Sequence, residues 1–155
     1  MNGALAGAGS TDGAAAPRDR GVAEEESEDA AANARERAAL FEMIDRAERA
    51  AALPLVIDSR HPWLLIEAAA RTRRAPILSS LPATREALAR WLPELAGFDV
   101  PIVGLAMDEG GVPADAEGRY ACAERFVRGG LLLGMPLAHL IVDCIALPGG
   151  AAPAA

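Results

Sequence analysis

The chain is poor in the residues that usually announce a function. Its 155 residues include two cysteines, Cys122 and Cys144, and two histidines, His61 and His139. The cysteines lie far apart at no metal-ligand spacing, which offers neither a disulfide framework nor a zinc site. They read as reduced core residues of a cytoplasmic protein. Neither histidine has a second histidine or a cysteine pair nearby, so no metal ligand set is visible. Basic residues number 15 against 22 acidic ones, a formal net charge of -7. That balance argues against nucleic acid as a partner, because phosphate binding needs a clustered basic face. The one basic cluster, Arg71, Arg73 and Arg74, stands at a helix end, where it complements the helix dipole in solvent. No uncharged apolar run reaches about 18 residues, so nothing spans a membrane. The amino terminus shows neither the basic nor the apolar region of a secretory signal. The glycine fingerprints of nucleotide sites, G-x-G-x-x-G after a strand and G-x-x-x-x-G-K-[ST], are absent.

What is present is a repeated pattern. Four short apolar runs each end in small or acidic residues: PLVIDS (Pro54–Ser59), APILSS (Ala75–Ser80), PIVGLAMDE (Pro101–Glu109) and HLIVDCIALP (His139–Pro148). The first three run on into a helical pattern. Continuous rather than alternating apolarity suits strands of a parallel sheet. The expected strands cover about 54–58, 76–80, 101–107 and 140–144. A helix over about Asn33–Ala51 places Leu40, Ile44, Ala47 and Ala51 on one face. Pro62 opens the next helix at a position where its missing N–H costs nothing, and that helix runs to about Arg73. After Pro82, Leu88, Trp91, Leu92 and Leu95 recur at helical spacing. After Pro113, a helix capped by Asp115 is expected to turn Tyr120, Ala123, Val127 and Leu131 inward. Trp63 and Trp91 read as packing anchors of these outer helices.

The chain divides by composition. Residues 1–32 are Gly/Ala-rich and then acidic, with too little apolar surface to offset the entropy of ordering, and are expected to be a disordered tail. Residues 33–148 form the folded domain, and 149–155 a frayed carboxyl-terminal tail. Alternating helix and strand imply a parallel α/β sheet with right-handed crossovers. Two architectures satisfy that: a small doubly wound sheet, or part of an eight-stranded βα barrel, whose complete form takes about 250 residues. In both, chemistry gathers at the carboxyl ends of the strands. Three of the four runs carry an aspartate there: Asp58, Asp108 and Asp143.

The segments LPLVIDSRHPWLLIEAA, APILSSLPATREALARWLPELAGFDVPIVGLAMDEGGVPADAEGRYACAERFV and HLIVDCIALP together resemble the pterin-binding barrel family, over about Leu40 to Pro148. Within it they are most similar to the methyltetrahydrofolate:corrinoid/iron–sulfur protein methyltransferases, and more distantly to dihydropteroate synthases and the pterin domain of cobalamin-dependent methionine synthase. The resemblance implies a partial (βα) TIM barrel of about four parallel strands with outer helices. The family's first strands, with their G-E-R-I-N and D-x-N segments, have no counterpart here, nor has the strand beyond its D-P-L segment.

The family's D-S aspartate corresponds to Asp58. Its D-P-L aspartate corresponds to Asp143, with Cys144 in place of the proline. Its I-N-S asparagine corresponds to Ser79, a shorter side chain with one donor where an amide offers two. The turn M-D-E-G-G-V-P resembles the family's M-D-x-x-G-I-P and sets Asp108 at the rim. The resemblance implies that these four residues bind a pterin, whose adjacent ring N–H and exocyclic amine a carboxylate accepts as a charge-assisted pair. Each also has a simpler reading. In it Asp58 caps a helix, Asp108 shapes the Gly110–Gly111 turn, Ser79 and Ser80 cap or turn, and Asp143 acts structurally.

The implied activity is methyl transfer from N5 of methyltetrahydrofolate, the substrate, to a corrinoid (cobalamin) carried by a partner protein. N5 must be protonated or strongly hydrogen-bonded as its methyl bond breaks. The family residue that assists lies beyond the D-P-L strand, so no catalytic residue is assigned here. The alternative is a noncatalytic pterin-binding or interaction module, or a truncated fragment, that needs another chain to complete the barrel. An open half-barrel exposes two sheet edges and an apolar face, which favours a homo-oligomer or a complementing chain.

Overall fold

The computed structural model describes residues 19–146, with side chains from residue 30 onward. Residues 1–18 and 147–155, which hold most of the first expected tail and all of the second, lie outside the described residues. The chain divides into two compact units between Glu36 and Arg37. The described part of the first is the amino-terminal stretch of helix α1 (Asp19–Ala50). That helix begins well before the Asn33 expected, so the expected tail overlaps it. Alanine and glutamate carry the highest helix propensities, and propensity can hold a helix that buries little.

The second unit is α/β. Strands β1 (Val56–Asp58), β2 (Ile77–Pro82), β3 (Ile102–Leu105) and β4 (Leu140–Asp143) form one sheet in the order β1-β2-β3-β4. Every neighbouring pair is parallel. Helices α2 (Pro62–Arg71), α3 (Arg85–Ala96) and α4 (Ala116–Leu132) connect them. Each helix packs on the strands it joins and on its neighbouring helix, α2 with α3 and α3 with α4. The strand order never reverses, so the sheet has no topological switch point of the doubly wound kind.

The core lies between that helix layer and one face of the sheet. Ile57, Leu78, Leu81, Ile102 and Leu140 point from the strands toward Leu65, Leu92, Leu95 and Phe126. Between β2 and β3 the register shifts by one residue from Ser79 to Leu81. Leu78 and Leu81, three apart, are therefore both fully buried, and Ser80 is the residue the shift absorbs. Helix α2 starts with Pro62 at its first turn, as expected, after the N-cap residue His61. Thr84 caps α3 by accepting from the Ala87 N–H at 3.1 Å. Asp115 caps α4, accepting from Gly118 at 2.7 Å.

The inward face of α4 differs from the one expected. Cys122, Phe126 and Gly130 are buried, whereas Tyr120 and Leu131 are exposed; Ala123 and Val127 flank the stripe, half-buried. The reason is steric. A Cβ at Gly104 on β3 would come within 2.4 Å of the Phe126 ring, and one at Gly130 within 2.4 Å of Leu140. The two glycines admit Phe126 and Leu140 to the helix–sheet seam, and this fixes the rotation of α4. Cys122 is buried as expected; Cys144 is exposed, a correction to its reading as a core residue. It follows the last sheet residue, where no helix covers it.

The arginine cluster also does more than face solvent. Arg71 donates to Asp45 of α1 at 2.5 Å, and the Arg73 N–H donates to Glu48 at 2.7 Å. Arg37 pairs with Glu67 of α2, and the Phe41 ring lies between the guanidiniums of Arg37 and Arg71, about 5 Å from each. The Arg37–Ala50 stretch of α1 is thereby latched to α2. The hydrogen bond from Arg71 is the main reason the Asp45 carboxyl titrates below its ordinary 3.8.

Two outcomes follow. Gly104→Ala should destabilise the fold by about 1–3 kcal/mol through overpacking, read as a lower urea midpoint, and Phe126→Leu in the same chain should recover part of the loss. Asp45 is a depressed acid, so its contribution is present above its unfolded value and lost as pH falls through the folded one. The difference in thermal midpoint between the wild type and Asp45→Asn should thus be seen at neutral pH and shrink as pH drops below 3.8.

Candidate functional site

Strand alternation sends one set of side chains to the helices and the other to the opposite face. Asp58 pairs in register with Ser79, Ser79 with Val103, and Val103 with Ile141; two residues on, Leu105 pairs with Asp143. All of these alternate with the buried positions Ile57, Leu78, Ile102, Gly104 and Leu140, so they share the face that carries no helix. Val56 on β1 is 64% exposed and Ile141 on β4 is 38% exposed. Asp58 and Asp143 are the last residues of the two edge strands. Ser79 lies beside Asp58 on β2. Asp58 and Asp143 thus end their strands, and Ser79, third of six in β2, shares their face at the level of Asp58.

The exits of successive strands are tied in sequence. The Ser59 N–H donates to the Ser79 carbonyl at 2.8 Å, Ala83 to Leu105 at 3.1 Å, and Ala106 to Asp143 at 2.9 Å. Each strand's first loop residue is bonded to the next strand, giving a continuous rim.

The candidates differ in what occupies them. Asp108 closes its own turn: its carboxylate accepts from Gly110 at 2.8 Å, and its backbone exchanges bonds with Gly111 at 2.9 and 3.0 Å. Gly111 has φ of 103°, a conformation a side chain would resist. The turn-shaping reading of Asp108 therefore has a direct basis. Asp143 accepts from the Ile145 N–H through Oδ1 at 2.8 Å, which leaves Oδ2 to face the solvent. Asp58 is exposed, and among the described residues no hydrogen bond or ion pair engages its side chain. It does not cap α2. Ser59 is the residue that turns the chain there, accepting from the His61 N–H at 3.1 Å.

Three side chains that sequence reasoning missed hold the rim in place. Arg119 of α4 donates to the carbonyls of Pro113 at 2.9 Å, Cys144 at 3.1 Å and Ile145 at 2.8 Å. It thereby joins the loop before α4 to the segment after Asp143. Arg125 donates to the Ala83 carbonyl at 2.7 Å. Glu109 accepts from the Arg85 N–H at 2.8 Å, and that bond is the chief reason its carboxyl titrates below the ordinary value. Most of these contacts join segments 24 or more residues apart, and no local pattern announces them.

Among the described residues no group of three or more His, Cys, Asp or Glu is placed to share a metal ion. No helix among them is long and apolar enough to cross a membrane. No protein-family profile matches the chain. Chemically, the open face offers two carboxylates with free acceptor capacity and a hydroxyl between their strands, a set suited to a planar ligand rich in N–H donors.

Removing the Arg119 pin tests the rim. Arg119→Ala should cost about 1.5–3 kcal/mol, the range for hydrogen bonds to a charged group. Amide exchange at Ile145 should accelerate more than exchange in β2, and Arg119→Lys should restore only part of both effects.

Proposed function

We propose that this chain is a pterin-binding segment of a βα barrel, related in function to the methyltetrahydrofolate:corrinoid methyltransferases. The observation that carries the reading is the common placement of Asp58, Ser79 and Asp143. All three rise from one face of a parallel sheet, and Asp58 and Asp143 stand at the strand ends, where such sheets hold their ligands. The sequential strand order and the single helix layer support a barrel segment over a doubly wound sheet. Asp143 and Asp58 bracket the open face from its two edges. In this reading Asp143, held by Ile145 and by the Arg119 pin behind it, accepts the ring N–H and exocyclic amine of the pterin. Asp58 and Ser79 contact its other edge. Asp108 shapes the rim through one oxygen and offers the other at its edge.

The chain's own residues supply binding and orientation of the methyl donor. The proton for N5 has no assigned donor among them, so methyl transfer to a corrinoid protein is proposed for the completed barrel.

The reading is tested by titration calorimetry of the 155-residue chain with methyltetrahydrofolate. Weak binding is expected for the wild type. Asp143→Ala should reduce it about tenfold or more, since a charge-assisted acceptor contributes about 1.5–3 kcal/mol. Arg85→Ala, away from the open face, should bind as the wild type does. Equal binding by the wild type and Asp143→Ala would assign the wrong carboxylate, and no binding by any form would remove the pterin reading.

A further inference from the structure

Helices α3 and α4 turn the same residue spacing toward a shared groove. On α3 the lining residues are Arg85, Leu88, Ala89, Leu92 and Pro93, and on α4 Arg125, Arg128, Gly129, Leu132 and Leu133. Each set falls at i, i+3, i+4, i+7 and i+8, one face of a helix. The groove holds about 520 Å³, within the size range of small-molecule sites. It lies on the helix side of the sheet, away from the face that carries Asp58 and Asp143.

The groove is polarised along its length. Both sets begin with arginine and end in apolar residues. Arg85 and Arg125 stand at the same end. Arg125 donates to the Ala83 carbonyl, two residues before Arg85, at 2.7 Å. The charges of both arginines add to the hydrogen bond from the Arg85 N–H in holding the Glu109 carboxyl below its ordinary value. Arg128 follows one turn along α4. Farther on, Leu92 lies against Gly129, where a Cβ would come within 3.1 Å of it. Pro93, Leu132 and Leu133 form the other end, and Leu132 is 88% exposed. From Arg85 to Pro93 helix α3 rises about 12 Å.

Two residues that weaken helices keep the groove open. Pro93 stands inside α3, where it removes an N–H and with it the bond to the Ala89 carbonyl. Its ring gives the wall apolar surface with no donor. Gly129 stands inside α4, and a side chain there would fill the floor against Leu92. Neither choice favours helix formation, and both favour an apolar cleft.

The charges decide what fits it. No acidic residue lines the groove. Glu124 pairs with Arg128 at 3.3 Å, and Glu109 accepts from the Arg85 backbone. The Arg85 guanidinium itself makes no hydrogen bond or salt bridge among the described residues. A guanidinium with open donors, beside an apolar trough, complements an anion carried on hydrocarbon. An amphipathic helix of a partner protein carries its charges along its whole length, whereas this groove answers charge in one half only.

We propose that the α3–α4 groove binds a single alkyl chain bearing an anionic head group. The head, a carboxylate or a phosphate monoester, meets Arg85 and Arg128, and the chain lies over Leu88, Leu92 and Leu132. This inference does not depend on the pterin reading.

The experiment is titration calorimetry of the full 155-residue chain with dodecanoate, below the concentration at which it forms micelles. One site is expected. Decanoate, two methylenes shorter, should bind about tenfold more weakly. Dodecyldimethylamine oxide, the same chain with no net charge at about pH 8, should also bind about tenfold more weakly or worse, since it offers the arginines no anion. Dodecyl phosphate separates the two heads, the tighter of it and dodecanoate naming the one preferred. Arg85→Ala and Leu132→Glu, both at exposed positions, should each weaken dodecanoate about tenfold or more. No binding of either anion overturns the proposal, including the case in which the chain binds only anionic vesicles. So does an affinity indifferent to chain length, to head charge or to either variant. If a variant loses native circular dichroism, the amide spectrum of the wild type decides. Dodecanoate should shift Ala89, Gly129 and Leu132, and shifts confined to other residues count against the groove.

Discussion

Right-handed crossovers between parallel strands impose the main constraint on this molecule. Every connection moves one strand in the same direction, β1 to β2 to β3 to β4, and a right-handed crossover taken repeatedly in one direction puts every helix on the same side. A doubly wound sheet covers its second face by reversing direction once, and no reversal occurs here. Among the described residues the second face is therefore open because of connectivity, not for want of apolar residues. From that one rule come the single core, the exposed Val56 and Ile141, the two free edges and the line of candidate residues along the uncovered rim.

The helix side is settled by close contacts. Phe126 lies over Gly104, and Leu140 reaches Gly130. Burying a side chain the size of Phe126 contributes about 1.5–3 kcal/mol, which is available only while the Gly104 position stays empty. This also explains how the sequence was legible and where it was not. The four apolar runs, the Pro62 start and the Asp115 cap are local signals, and the strands and helices appear within a few residues of where those signals place them. The rotation of α4 is not a local property. Tyr120, Ala123, Val127 and Leu131 form as regular a stripe as Cys122, Phe126 and Gly130, and only the missing side chain at Gly104, on another element, decides between them. Likewise Arg71 and Arg73 read as dipole complements until α1 brings Asp45 and Glu48 against them.

The candidate site was legible to the same extent. An aspartate that ends an apolar run is visible in sequence, and β1 and β4 do end at Asp58 and Asp143. Their common face follows from register, which the hydrophobic pattern could suggest but which the shift at Ser79–Leu81 adjusts. Asp108 carried the same signature, and one of its carboxylate oxygens closes its own turn. Arg119, Arg125 and Glu109 had no signature at all, because each acts on backbone groups of a loop distant in sequence.

The use of those three charged side chains bears on why the edge carboxylates are there. Arg119 and Arg125 are directed at backbone carbonyls, and Glu109 at a backbone N–H. The rim's charged groups thus satisfy polar backbone that would otherwise end in loops, and the rim keeps its shape without enlisting Asp58. Asp143 gives one oxygen to its own turn and retains the other. A hydrated surface carboxylate with no partner neither stabilises nor greatly destabilises a fold, so folding alone gives Asp58 no task. Asp58 and Asp143, on the open side of the rim, keep acceptor capacity that the hydrogen bonds of Arg119 and Arg125 do not use. A ligand bearing paired N–H groups would supply the donors, and that is the physical ground of the pterin proposal.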